Sequence, residues 1–196
     1  MLIYIVLSVK EMQMLSKVCL FYLINNFIII LGMKRILVIG CPGAGKTYFS
    51  KRLSQILGLP LIHMDNLYWH KDKTSIPTEE LKAKLLPYLE KDEWIIDGNY
   101  HRTLETRLPY ATDVFLLDIP REECVKGILE RVGIARDDIP WVESQEDADE
   151  LIAWTESYGF RTKDEEVELL NKNKHLVVHT FTSRQEMNDY LSKLEK

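Results

Sequence analysis

An α/β fold, with a parallel sheet covered by helices, is predicted from Met33 onward by three observations. Short apolar runs alternate with longer segments of helical periodicity. The runs are brief and nearly continuous in apolar character, as strands buried on both faces are. At 196 residues, 46% hydrophobic and 28% charged, the chain is long enough for one buried core and short for two.

Five runs carry the strand prediction: Arg35 to Gly40, Pro60 to Asp65, Glu93 to Gly98, Asp113 to Asp118 and His175 to Thr180. Helical segments fill the gaps. Phe49, Leu53, Ile56 and Leu57 share one face before Gly58, and Val125, Ile128, Leu129 and Val132 share another. Thr162 to Glu165 and Ser183 to Glu186 both fit the capping-box pattern, marking helix starts before and after the fifth strand. No internal repeat or low-complexity tract interrupts this order.

Bulk composition excludes some functions. A net charge of -5 and a pI near 5.6 oppose broad attraction to phosphate backbones. With no helix-turn-helix pattern or basic stripe, a DNA-binding regulator is the weakest reading. Cys19, Cys41 and Cys124 have neither a paired framework nor a zinc-ligand spacing, which fits a reducing cytosol and no disulfide. Cytoplasmic location, as monomer or dimer, is the expectation.

The N-terminal 32 residues are read apart from this domain. Residues 18 to 31 are strongly apolar, but the run is too short to span a bilayer comfortably and Asn25 and Asn26 interrupt it. It also lacks a small-residue cleavage site. Translated upstream DNA, with the start at Met33, is the favoured explanation; a membrane-touching amphipathic extension and a packed structural extension are the alternatives.

Chemistry concentrates in G-C-P-G-A-G-K-T, Gly40 to Thr47, which fits the P-loop pattern and lies between the first predicted strand and helix. Gly40, Gly43 and Gly45 let the backbone turn tightly, so that N–H groups, with those of Pro42's neighbours, Ala44 and Tyr48, face phosphate oxygens at a helix N-terminus. Lys46 supplies a mobile positive charge. Thr47 supplies a hydroxyl for magnesium, so ATP with Mg2+ is the expected cofactor. Cys41 fills a permissive position.

In an open parallel sheet, ligands lie beyond the carboxyl ends of the strands. Asp65, after the second strand, is the acceptor-side candidate, with a self-bonded turn residue as its alternative. Asp97, ending the third, is a magnesium candidate beside Thr47. Asn99, Arg102 and Arg107 follow as acceptor contacts. Arg131 and Arg136 are candidates for transferring-phosphoryl contacts, with solvated surface arginines as the alternative. His63, His70 and His101 match no zinc spacing, and the tryptophans at 69, 94, 141 and 154 read as core or lid packing rather than base platforms.

These residues look like the adenylate-kinase-like branch of P-loop kinases, especially small bacterial topology modulation (FlaR-like) proteins. The similarity covers Met33 to Lys196. It rests on G-C-P-G-A-G-K-T, on Leu59 to Asp65 with Trp69 shortly after, and on Trp94-Ile95-Ile96-Asp97-Gly98-Asn99-Tyr100. The resemblance implies a sheet in the order 2-3-1-4-5, a small helical lid from about Gly133 to Glu146, and adenine contacts from Phe181, Thr182 and Ser183. Arg131 matches one of the family's two lid arginines; Arg102 and Arg136 each stand one position later than the family's pattern.

Together these readings lead to transfer of the γ-phosphoryl group of ATP to a nucleotide or small hydroxylated acceptor, with the lid closing to exclude water. The competing reading is a P-loop ATPase or nucleotide-dependent switch, linked to DNA topology by the family's label.

Overall fold

The computed structural model describes residues 33–195, and the readings of residues 1–32 and of Cys19 lie outside the described residues. Five parallel strands form one sheet: β1 (Arg35–Gly40), β2 (Leu61–His63), β3 (Trp94–Asp97), β4 (Asp113–Leu117) and β5 (Val177–Phe181). Their spatial order is β2-β3-β1-β4-β5. The central strands β3 and β4 are buried throughout, and in β1 only Arg35 is partly exposed. That burial explains why the sequence shows continuous apolar runs: helices cover both faces and leave no polar side to alternate with.

The helices are α1 (Lys46–Leu57), α2 (Met64–Tyr68), α3 (Thr78–Leu89), α4 (Leu104–Arg107), α5 (Arg121–Leu129), α6 (Gln145–Lys172) and α7 (Arg184–Leu194). Leu81, Leu85 and Leu89, four residues apart on α3, pack with Leu37, Ile39, Trp94 and Ile96 in one core. Phe49 of α1 meets Phe115 of β4 and Phe181 of β5, with ring centroids 5.0 and 5.6 Å away. Among the described residues no helix is long and apolar enough to cross a membrane.

Several local expectations are corrected. The second strand ends at His63, because the chain turns at Met64 to bury that side chain completely, and Asp65 therefore sits on α2. The fifth begins at Val177, where pairing with Asp113 begins. Thr162 to Glu165 lie inside α6; the capping box that starts this helix is Ser144 with Asp147. Ser183 does cap α7, accepting from Glu186 N. On α5 the buried pair is Cys124 and Ile128, whereas Leu129 is exposed, since the face toward the glycine-rich turn is set by the i, i+4 pair.

β1 sends its connection toward β2, and β3 sends its own to β4 on the other side of β1. Their carboxyl ends therefore open a crevice where the connections part.

Candidate functional site

The crevice holds a cavity of about 750 Å³, lined in part by Gly43, Gly45, Lys46, Thr47, Asp65 and Asp97. The turn between β1 and α1 is bent by three glycines at positive φ, Gly40 at 143°, Gly43 at 76° and Gly45 at 96°. Glycine is sterically required at Gly43, where a Cβ would lie 2.0 Å from the Cys124 carbonyl oxygen. No side chain caps the N-terminus of α1, and its first turn carries no acidic residue. The positive end of that helix is thus turned toward the cavity with no acidic residue of its own first turn to neutralise it.

Lys46 folds back over the turn, donating from Nζ to the carbonyl oxygens of Gly40 at 3.0 Å and Cys41 at 2.9 Å. Thr47 Oγ1 donates to Asp138 Oδ2 at 2.8 Å. Pro42 and the exposed Tyr48 also line the cavity; Ala44 is fully buried behind the turn. Cys41 and Cys124 are free and buried beside it. The hydrogen bond from Cys124 lowers the Cys41 thiol to about 7.

Asp97 ends β3 directly opposite His63 in the β2–β3 register. Its Oδ2 lies 3.0 Å from His63 Nδ1. Burial alone would lower the imidazole pKa, but the hydrogen bond and charge of Asp97 outweigh it and raise it. Asp65 accepts a hydrogen bond from Tyr100 OH. Burial pushes its carboxyl above the usual carboxylate range, against the opposing effect of that bond.

The conformation of the Gly98–Tyr100 segment is held by two polar clasps. Asn99 Oδ1 accepts from Gly40 N at 3.2 Å while its Nδ2 donates to Glu166 Oε1 at 2.7 Å. Tyr158 OH donates to Glu166 Oε2 at 2.6 Å, which joins α6 to the turn through Asn99. Arg107, wholly buried, donates to the carbonyls of Gly98 at 2.9 Å, Asn99, and Tyr100 at 3.3 Å.

This geometry sorts the sequence-predicted residues. Lys46, Thr47, Asp65, Asp97, Asn99, Arg131 and Arg136 share the cavity. Arg107 does not line it: its guanidinium is consumed by backbone carbonyls. Arg102 is exposed and also lies outside the lining. Thr182 and Ser183 are likewise off the wall, because their polar atoms are engaged in capping α7 with Glu186. Arg184, Met187 and Asn188 of α7 reach the cavity instead. His63 and His101 each pair with carboxylates, Asp97 and Glu165 respectively.

The expected helical lid is not helical before Gln145, and its charged residues are not all solvated. Asp138, Ile139 and Glu143 are buried. Arg136 donates to Asp138 Oδ1 at 2.9 Å and to Glu143 Oε2 at 2.9 Å, and Arg131 Nε lies 2.8 Å from Glu143 Oε2. Burial works against the Asp138 carboxylate, but the Arg136 bonds and charge, with Thr47, lower its pKa to about 2. Asp138, Glu143, Trp154 and Arg184 were missed by sequence reasoning. Only Arg184, in the first turn after a capping box, carried a signal placing it near the strand ends.

No protein-family model matches the chain, and no curated protein matches it. What the cavity does has to follow from its own donors and acceptors.

Proposed function

We propose that the chain is an ATP-dependent phosphotransferase of the P-loop type. The observation that carries this reading is the uncapped α1 N-terminus, joined to β1 by a turn with three positive-φ glycines, with Lys46 and Thr47 as its first two residues. A triphosphate fits there: backbone N–H groups and Lys46 meet its oxygens, and Thr47 with Asp97 or Asp138 would hold its magnesium. When bound, ATP supplies the transferable phosphoryl group and the metal spreads its charge. Lys46 exchanges carbonyl contacts for phosphate oxygens, Arg131 and Arg136 stand on the cavity wall to neutralise charge, and Asp65 faces the side where an acceptor hydroxyl would be oriented.

The Thr47–Asp138 contact favours one further reading, a nucleotide-driven switch or ATPase. A metal held by Thr47 and Asp97 would draw Thr47 from Asp138 and so would loosen residues 130–144.

Full-length protein with magnesium and γ-labelled ATP, incubated with nucleosides, nucleoside monophosphates and small hydroxylated metabolites, separates the two. Label on one acceptor, lost in Lys46→Ala, is the expected result. Release of free phosphate with no labelled acceptor assigns the switch, and failure of ATP to bind defeats both.

A further inference from the structure

The cavity wall beyond the glycine-rich turn is rich in rings and carboxylates, and Arg131, Arg136 and Arg184 each already have a carboxylate or carbonyl partner. Trp69, Tyr100, His101 and Trp154 line it together with Asp65 and Asp97. His101 lies 3.1 Å from Glu165 and 3.8 Å from Glu166. Arg131 and Arg136 are paired with Glu143 and Asp138, and Arg184 donates to the carbonyls of Gly43 and Glu123. A phosphomonoester placed here would face Asp65 and Asp97, while Arg131 and Arg136 already hold Glu143 and Asp138 and, on the phosphotransferase reading, serve the transferring phosphoryl group instead.

The rings are held in fixed orientations. Trp69 meets Trp141 edge-on at 5.7 Å and Tyr68 at 4.8 Å, and Tyr100 meets Tyr68 at 5.0 Å. Trp154 stacks on Tyr158 at 5.3 Å, and Tyr158 is in turn tied to Glu166. Trp154 nevertheless stays 42% exposed. An immobilised, half-bare indole on a cavity wall is a surface for another flat ring. Asp65 uses Oδ1 for Tyr100, and its Oδ2 has no protein donor among the described residues.

Resting on the phosphotransferase reading, we propose that this wall takes a nucleoside, a flat ring carrying a sugar with free hydroxyls and no phosphate, as the phosphoryl acceptor. Trp154 and Trp69 bind the base, and Asp65 accepts a hydrogen bond from the sugar hydroxyl. In the transfer, that hydroxyl oxygen bonds to the γ-phosphorus as the bond to the β–γ bridging oxygen breaks. The electron pair leaves with ADP, and the hydroxyl proton passes to the Asp65 carboxylate. Burial raises the proton affinity of Asp65 in the direction this step needs.

The test is binding, read by saturation-transfer NMR on the full chain with a non-hydrolysable ATP analogue and magnesium present. Adenosine, guanosine, cytidine and thymidine are compared with their 5′-monophosphates. At least one nucleoside is expected to bind about tenfold tighter than its monophosphate. Trp154→Ala should weaken it by about fivefold, while affinity for the ATP analogue moves by less than about twofold. Asp65→Asn should keep nucleoside binding and lose label transfer by about a hundredfold. Monophosphates binding as tightly as nucleosides, no nucleoside binding, or indifference to Trp154→Ala each overturns the proposal. Failure of the ATP analogue to bind, titrated separately, instead defeats the phosphotransferase reading, and the nucleoside comparison still reads the ring-lined wall.

Discussion

Thr47 and Asp138, 91 residues apart in sequence, are joined by a 2.8 Å hydrogen bond between hydroxyl and carboxylate. The bond fastens the long connection before α6 onto the first turn of α1. Asp138 is also the main anchor of Arg136, so the same carboxylate holds the connection's own fold.

Asp138→Asn should therefore destabilise the protein in a pH-dependent way. The native carboxyl is lowered from 3.8 to about 2, so its contribution is full above the unfolded value and disappears as pH falls through the native one. Urea denaturation should show wild type ahead of the variant by about 2 kcal/mol near neutrality. That lead should shrink toward zero near pH 2. A pH-independent difference would mean that Asp138 acts by shape rather than charge.

Glu166 predicts the opposite slope. Burial raises its pKa in spite of the Tyr158 and Asn99 hydrogen bonds and the nearby charges of His101 and Arg107. A raised carboxyl stabilises the fold below its unfolded value, and that contribution declines as pH rises through the native value. Relative to Glu166→Gln, wild type should lose stability on going from acid toward neutral pH. Parallel denaturation curves for the two proteins across that range would remove the charge-burial account.

Much of this fold is legible in sequence because its central strands β1, β3 and β4 are buried, so their apolar runs are continuous. Gly40 to Thr47 is legible for a local reason: the turn and the helix that follows it are contiguous. The partners of that turn are not. Asp138 reaches Thr47, and Glu166 reaches Asn99, only through tertiary packing of an acidic stretch whose composition resembles a solvated surface. Trp154 reads as packing until the structure shows it half-bare on the cavity wall. The two arginines placed after Asp97 diverge for the same reason: spacing along the chain cannot tell an inward guanidinium from an outward one.

Arg107 and Arg102 can be separated directly. Arg107→Ala strips the donors from the Gly98, Asn99 and Tyr100 carbonyls and leaves a hole in the core, and should cost about 3 kcal/mol or more. Arg102→Ala, at an exposed position, should fall within about 0.5 kcal/mol of wild type. Thermal melts of the two variants check this, and comparable losses at both sites would contradict the different environments assigned to them.

Gly43 and Gly58 offer a control for steric necessity, since both adopt left-handed backbone, at φ 76° and 71°. Alanine at Gly58 meets nothing within 4 Å, so Gly58→Ala should cost only the conformational strain, about 1 kcal/mol. At Gly43 the same strain is joined by a collision with the Cys124 carbonyl, whose oxygen would lie 2.0 Å from the new Cβ. That carbonyl belongs to α5 and cannot retreat without moving the helix away from the turn. Gly43→Ala should thus lower the melting temperature well beyond Gly58→Ala and, by shifting the N–H groups beside Lys46, abolish the melting-temperature rise with ATP and magnesium that the proposed function predicts for wild type. Equal stability losses would show that α5 yields easily. An ATP response in wild type that survives in Gly43→Ala would show that the proposed phosphate site does not depend on the turn's spacing.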